Sequence, residues 1–182
     1  MKFVEQEISG VWIIEAEPII DNRGRFRRHF CHKEFEARGL ESRIVQTNIS
    51  ENNDPFTLRG FHYQMKPFEE HKTISCVNGA IYNVVIDLRP ESKTFLKWVG
   101  AKLTSENMLS LHIPAGCANA YLTLESNAMI LYYMSEFYSP DSYAGFRYDD
   151  PLFKIDWPIA PKVISEKDAN FPDFDPNSLK SK

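Results

Sequence analysis

The sequence predicts an all-β protein, a jelly roll, and three observations predict it. Apolar and polar residues alternate over short runs: in "MLSLHIP", Leu109, Leu111 and Ile113 alternate with Ser110 and His112, the pattern of a strand with one buried face. These runs are frequent and rich in β-branched and aromatic residues, which suit a pleated surface. Turn residues separate them at the spacing of a sandwich or barrel.

Taken in chain order, "GVWIIEAE" is a strand candidate. "DNRGRFRRHF", Asp21 to Phe30, reads as extended, with Arg23, Arg25 and Arg27 on one face and Phe26 and Arg28 on the other. "HKEFEARGL" is the one predicted helix, because Gly39 is a natural C-terminal stop. "KTISCVNGAIYNVVIDL" gives two strands joined at Asn78-Gly79, a pair suited to a tight hairpin. "FLKWVGAKL", "MLSLHIP", "NAYLTL" and "AMILYYMSEFY" follow as strands, separated by the turn signals "LRPESKT", "TSEN", "IPAG" and "YSPDS". The C-terminal "PIAPKVISEKDANFPDFDPNSLKSK" is proline-broken and polar, so it is expected to be an extended tail over the surface. A length of 182 residues fits one domain spanning 1–182.

Composition excludes several function classes. With 43% apolar and 25% charged residues the chain is neither disordered nor membrane-spanning, and no apolar run nears the roughly 20 residues that cross a bilayer. The N-terminus "MKFVEQEISG" lacks the layout of a signal peptide, so the cytoplasm is the expected location. A net charge of -4 gives no electrostatic case for nucleic acid. Cys31, Cys76 and Cys117 are odd in number and irregular in spacing, which argues against a disulfide framework or a zinc module.

The stretch "LRGFHYQMKPFEEHKT", Leu58 to Thr73, concentrates the residues that do chemistry. As a metal site it is short of ligands: His62 is followed by Gln64, and "IPAGCANAY" offers Asn119 where a further imidazole is needed. No metal is expected. As an acid-base site it has His62, an imidazole able to take up and return a proton, and Lys72, a positive charge for an enolate oxygen. A satisfied core histidine and a surface lysine describe the pair equally well at this point. Glu69, Glu70 and His71 are expected in a solvated turn. The arginines of "DNRGRFRRHF" suit a nucleotide diphosphate, although an edge strand protected by charge has the same composition. In "ILYYMSEFY", Tyr132 and Tyr133 take opposite faces of one strand, so one of them can enter a barrel as a proton donor.

Together "DNRGRF", "LRGFHYQ", "VVIDLRPESKTFLKWVGAKLTSEN", "HIPAGCANAYL", "LYYMSEFYSPDSYAGFRYDDPLFKIDWP" and "ISEKDA" resemble the dTDP-4-dehydrorhamnose 3,5-epimerase family nearly end to end, in the family's order. The resemblance implies a cupin-like jelly roll, a double-stranded β-helix barrel, that epimerises a nucleotide-linked 4-keto-6-deoxy sugar without a cofactor. It implies His62 as the base, Asp168 as its carboxylate partner, Lys72 at the enolate oxygen and Tyr132 as the proton donor on the other face. Arg23, Arg59, Gln46 and Asn48 match positions that hold phosphates and nucleoside, and Tyr138 and Lys167 join the expected substrate contacts. It further implies a homodimer with an exchanged strand, in which Phe26 reaches the partner's site.

Four positions depart from the family's pattern. Asn119 stands for a histidine in "PxGxAHGF", Arg28 for a glutamate, Thr47 for an acidic residue and Tyr143 for a common glutamate. Arginine only donates hydrogen bonds, whereas a carboxylate accepts from the N3-H of thymine, so Arg28 suits the acceptor edges of cytosine or guanine better. The expectation is an active epimerase with an altered nucleotide or sugar preference, at C3, C5 or both. A CDP-linked 3,6-dideoxy-4-hexulose inverted at C5, and a jelly roll that binds a nucleotide sugar without turnover, are the alternatives.

Overall fold

Two sheets face each other, and the register of their strands decides which side chains meet between them. The computed structural model describes residues 1–180. In chain order the strands are β1 (Lys2–Glu5), β2 (Trp12–Glu15), β3 (Ile19–Asp21), β4 (Gly24–Phe26), β5 (Gln46–Asn52), β6 (Thr57–Gln64), β7 (Lys72–Asn78), β8 (Ala80–Asp87), β9 (Trp98–Thr104), β10 (Leu109–Ile113), β11 (Cys117–Thr123), β12 (Ala128–Met134), β13 (Tyr143–Gly145) and β14 (Val163–Ile164). Helix α1 (His32–Glu36) lies between β4 and β5, and α2 (Glu166–Ala169) and a 3-10 turn (Pro176–Lys180) follow β14. The first sheet runs β1-β2-β10-β7-β12-β5; the second runs β13-β6-β11-β8-β9, with β14 parallel to β6. The fold is the expected all-β jelly roll of cupin type.

The alternation seen in the sequence now has a cause. Ile74, Cys76, Ile81, Val85, Leu111, Ile113 and Ile130 fill the space between the sheets. The second sheet is buried on its other face too: Val84, Ile86, Ala118 and Ala120 pack with Phe61 against Phe146, Phe153 and Phe174 from the chain's end. Strands covered on both faces read as nearly continuous apolar runs, as "AIYNVVID" and "CANAYLT" do. The tail therefore wraps the surface as expected, with a strand of only two residues, but it also seals a core. Its Phe174 is buried.

Three expectations meet a different fold. The tight hairpin expected at Asn78-Gly79 does not form: β7 belongs to the first sheet and β8 to the second, and Gly79, at φ +75°, turns the chain from one to the other. The predicted helix forms over His32–Glu36, with Gly39 beyond it at φ +67°, but it is not alone: Ser165 caps α2 by accepting from the Asp168 N–H at 3.1 Å. "DNRGRFRRHF" is no single strand. Asp21 pairs with Gly24, so Asn22 and Arg23 are a hairpin turn, and Arg23 folds back onto the Asp21 carboxylate at 2.6 Å. The alternating faces assigned to its arginines therefore do not exist, since β4 ends at Phe26.

Candidate active site

Between the sheets, at one end of the barrel, lies a cavity of about 290 Å³. Its walls follow from register. On the second sheet His62 and Asn119 are cross-strand partners, and Tyr143 reaches the same wall two residues beyond the strand partner of His62. On the first sheet Lys72, Met134 and Gln46 are aligned across three strands, as are Ile74, Tyr132 and Asn48. Residues aligned across neighbouring strands share a face, so Lys72 and Tyr132 look toward His62 from the opposite wall.

His62 is held by the tail. Its Nε2 lies 2.8 Å from Asp168 Oδ1, and Asp168 Oδ2 accepts from the Gly60 N–H at 3.1 Å. Burial alone would raise the Asp168 carboxyl; the hydrogen bond and charge of His62, the Gly60 N–H and the charge of Lys167 outweigh it and hold the group below its ordinary value. With a carboxylate on Nε2, the ring carries its proton there and keeps the lone pair on Nδ1. Gly60 lets β6 lie this close to β11 on the His62 wall. Its φ is +116°, and a Cβ would lie 2.6 Å from the Cβ of Ala120 and 2.7 Å from its Cα.

Lys72 is buried and doubly held. Its Nζ pairs with Glu70 Oε1 at 2.8 Å and donates to Asn119 Oδ1 at 3.2 Å. Glu70, expected in a solvated turn, is only 6% exposed and lines the cavity. The turn reading fails for His71 as well, whose ring stacks on His112 at 5.6 Å. The cause is that the strand begins at Lys72, and an inward lysine at its edge needs a nearby counter-charge. Tyr132, on the same wall, has its phenol held well above the ordinary value, chiefly by burial. A phenol so raised keeps its proton at neutral pH.

Comparison with known proteins bears on this geometry. The family model described as dTDP-4-dehydrorhamnose 3,5-epimerase matches residues 5–176. A dTDP-4-dehydrorhamnose 3,5-epimerase of Shigella flexneri is 37% identical over 171 residues, 93% of this chain and 94% of that one. The chain belongs to the dTDP-4-dehydrorhamnose 3,5-epimerase family. The crystal structure of the Elizabethkingia anophelis enzyme of that name superposes with a TM-score of 0.90 at 36% identity, covering 96% of each chain. That of a Legionella pneumophila dTDP-6-deoxy-D-glucose-3,5-epimerase, in complex with dTDP-4-keto-L-rhamnose, gives 0.89 at 34% identity over 94% of this chain and 92% of that one. Membership makes the chain a carbohydrate epimerase, an isomerase.

In this epimerase the cavity gathers most of the residues singled out in the sequence: His62, Lys72, Tyr132, Asn119, Arg59, Gln46, Asn48, Tyr138 and Tyr143 line it. Asp168 stands behind His62, and Lys167 lies 4.1 Å over the ring of Tyr143. Four residues are elsewhere. Thr47 is aligned with Tyr133, one position off the cavity-facing row. Arg23 is at the hairpin tip, Phe26 is 74% exposed, and Arg28 pairs with Glu34 at 3.0 Å. Gln64 is occupied otherwise: it donates to the carbonyls of Phe68 and Phe137 and accepts from the Ser139 N–H, pinning two loops at the cavity edge. Glu70, Ser50 and Tyr121 line the cavity without having been anticipated. For Glu70 a signal existed, a carboxylate two residues before a lysine that opens a strand.

Proposed function

We propose that this epimerase inverts a stereocentre beside the ketone of a nucleotide-diphosphate-linked 4-keto-6-deoxyhexose, in deoxysugar biosynthesis, with no cofactor. The observation that carries the reading is the placement of an oriented base and a half-buried phenol on opposite walls of one cavity, with a lysine on the phenol's wall. His62 Nδ1 takes the proton from the carbon next to the ketone, and the electron pair of that C–H bond moves onto the C4 oxygen as an enolate. Lys72 stabilises that oxygen. The enolate collapses back to the ketone as Tyr132 delivers its O–H proton to the opposite face of the carbon, which inverts the centre. Loss of the proton from His62 to solvent and its regain at Tyr132 restore the resting state. Arg59 on the cavity wall is the cation placed for the diphosphate.

The nucleobase is decided by measurement. In the single chain Arg28 is committed to Glu34, so the altered-base reading requires that ion pair to open on binding. The assay incubates the protein in deuterium oxide with dTDP-, CDP- and GDP-linked 4-keto-6-deoxy sugars and follows C3 and C5 by NMR. Deuterium at one or both centres, with inversion, is the expected result. Fastest reaction with the dTDP sugar defeats the altered base, and no exchange in any of the three overturns the function and leaves a binding module.

The same reading makes the active form a homodimer, and places it in the cytoplasm. Ile19, Ile20 and Phe26 on the β3-β4 hairpin are 69%, 72% and 74% exposed, an apolar set that favours pairing with a second copy. Sedimentation equilibrium at micromolar concentration is expected to give twice the chain mass; a monomer overturns the assembly.

A further inference from the structure

Asn119 departs from the family's pattern inside the cavity, and its contacts give it a direction as well as a type. It is 6% exposed, lines the cavity and is the cross-strand partner of His62. Directly opposed residues on neighbouring strands carry their Cβ atoms about 5 Å apart, so the amide stands next to the base on one wall. From the other wall Lys72 Nζ donates to Asn119 Oδ1 at 3.2 Å.

The lysine decides which way the amide faces. An ammonium has only donors, so the amide atom against it must be the oxygen, and Nδ2 takes the other side. Nδ2 has no hydrogen-bond partner among the described residues, and it is not sealed from solvent as Glu70 Oε2 is. Lys72 has a donor to spare as well: one N–H goes to Glu70 at 2.8 Å and one to Asn119, which leaves another. Two free donors, one from each wall, are thus held together by the hydrogen bond between their side chains, next to the base.

We infer that Asn119 is a catalytic residue: its Nδ2–H donates to the C4 oxygen together with the remaining N–H of Lys72, so that the enolate is held by two donors from opposite walls. The inference rests on the proposed role of Lys72 at that oxygen. When His62 takes the proton, the electron pair of the C–H bond still ends on the C4 oxygen; no covalent bond at Asn119 forms or breaks. A hydrogen bond to that oxygen strengthens as its charge develops, so it lowers the barrier and does not merely add affinity. The neutral amide suits the place. It accepts from the ammonium with one end and donates to the sugar with the other, where a second cation would repel Lys72. An amide N–H is also too weak an acid to give its proton up, so the enolate is steadied without becoming an enol and the incoming proton goes to carbon.

The first test is Asn119→Ala, read as exchange at C5 in deuterium oxide. The substrates are whichever of the dTDP-, CDP- and GDP-linked 4-keto-6-deoxy sugars the unaltered protein exchanges fastest, and the 3-deoxy form of that sugar. Exchange is expected to fall about a hundredfold with both, in kcat and not in KM. A loss confined to the sugar that has a C3 hydroxyl assigns the amide to that hydroxyl and overturns the inference, as does a loss below about fivefold with both. An amide that only holds Lys72 in place would also slow both sugars, so a second measurement reads the donor itself. In protein isotope-labelled at the asparagine side-chain nitrogens, the Asn119 NH2 signals, assigned by their absence from Asn119→Ala, are followed by NMR. A downfield shift of one NH2 proton on adding the keto sugar, and not on adding its nucleoside diphosphate alone, is expected; equal shifts or none overturn the inference. Should none of the three sugars exchange with the unaltered protein, the proposed function fails, while this signal, read at saturating sugar, still decides on Asn119.

Discussion

Asp168 and Glu70 are both buried carboxylates, one behind each wall of the cavity, and they are held differently. Asp168 uses both oxygens, one on His62 and the other on the Gly60 N–H, and its helix is capped by Ser165. Glu70 uses one: Oε1 pairs with Lys72, and Oε2 is buried without a partner among the described residues. Two-point anchoring fixes the orientation of the group it serves; one-point anchoring supplies charge and leaves orientation free. The base needs the first, because only one ring nitrogen and one direction will serve. The lysine needs only the second, since an ammonium presents its charge from any rotamer.

The largest expected effect lies on the anchored side. In Asp168→Asn the Gly60 N–H still demands an oxygen, which turns the amide NH2 toward His62 Nε2. The imidazole must then accept at Nε2 and carry its proton on Nδ1, so the lone pair that takes the substrate proton is lost. Inversion is expected to fall about 10³-fold or more, with the fold intact by circular dichroism. A loss below about tenfold would show that anchoring is not what the dyad provides. The same variant has a pH signature. Asp168 titrates lower in the folded than in the unfolded protein, so the stability it contributes is present above the unfolded value of about 3.9 and is lost as pH falls through the folded one. Urea denaturation at pH 7 and near pH 3 should therefore show a smaller acid loss in the variant than in the unaltered protein.

The two carboxylates also differ in how far the sequence reveals them. Strand alternation puts Tyr132 and Tyr133 on opposite faces of β12 but leaves open which one faces inward, and it describes Lys72 equally well as a surface residue, so the family resemblance must choose both. Alternation says nothing of Asp168, whose place opposite His62 depends on a tail returning across 106 residues of sequence, and only the family resemblance located it. The helix carrying it is four residues long, too short for any periodic signal. Glu70 escaped for the opposite reason: in a polar, proline-bearing turn a charged residue looks solvated, and its burial follows from the inward lysine two positions on. Arg28 and Phe26 are legible as types but not as places, since neither reaches the cavity of its own chain. Tyr121 sits in a run that reads as core, and its hydroxyl has no pattern to announce it.

The smaller effect lies on the half-anchored side. In Glu70→Gln the side-chain carbonyl can keep the contact with Lys72 Nζ, and the NH2 replaces the oxygen that has no partner, so no bond present in the structure need be lost. What goes is the counter-charge of a lysine only 8% exposed, and leaving such a cation less well balanced is expected to cost about 1–3 kcal/mol of stability, read by urea denaturation. Inversion should change less than about tenfold, because the ammonium still faces the enolate oxygen and a less neutralised charge partly offsets any loosening of its position. The two variants therefore separate the roles: Asp168→Asn reduces rate far more than stability at pH 7, and Glu70→Gln the reverse. If Glu70→Gln stopped inversion as completely as Asp168→Asn, its unpartnered oxygen would have to be acting on the sugar itself. Charge balance alone would then no longer account for Glu70.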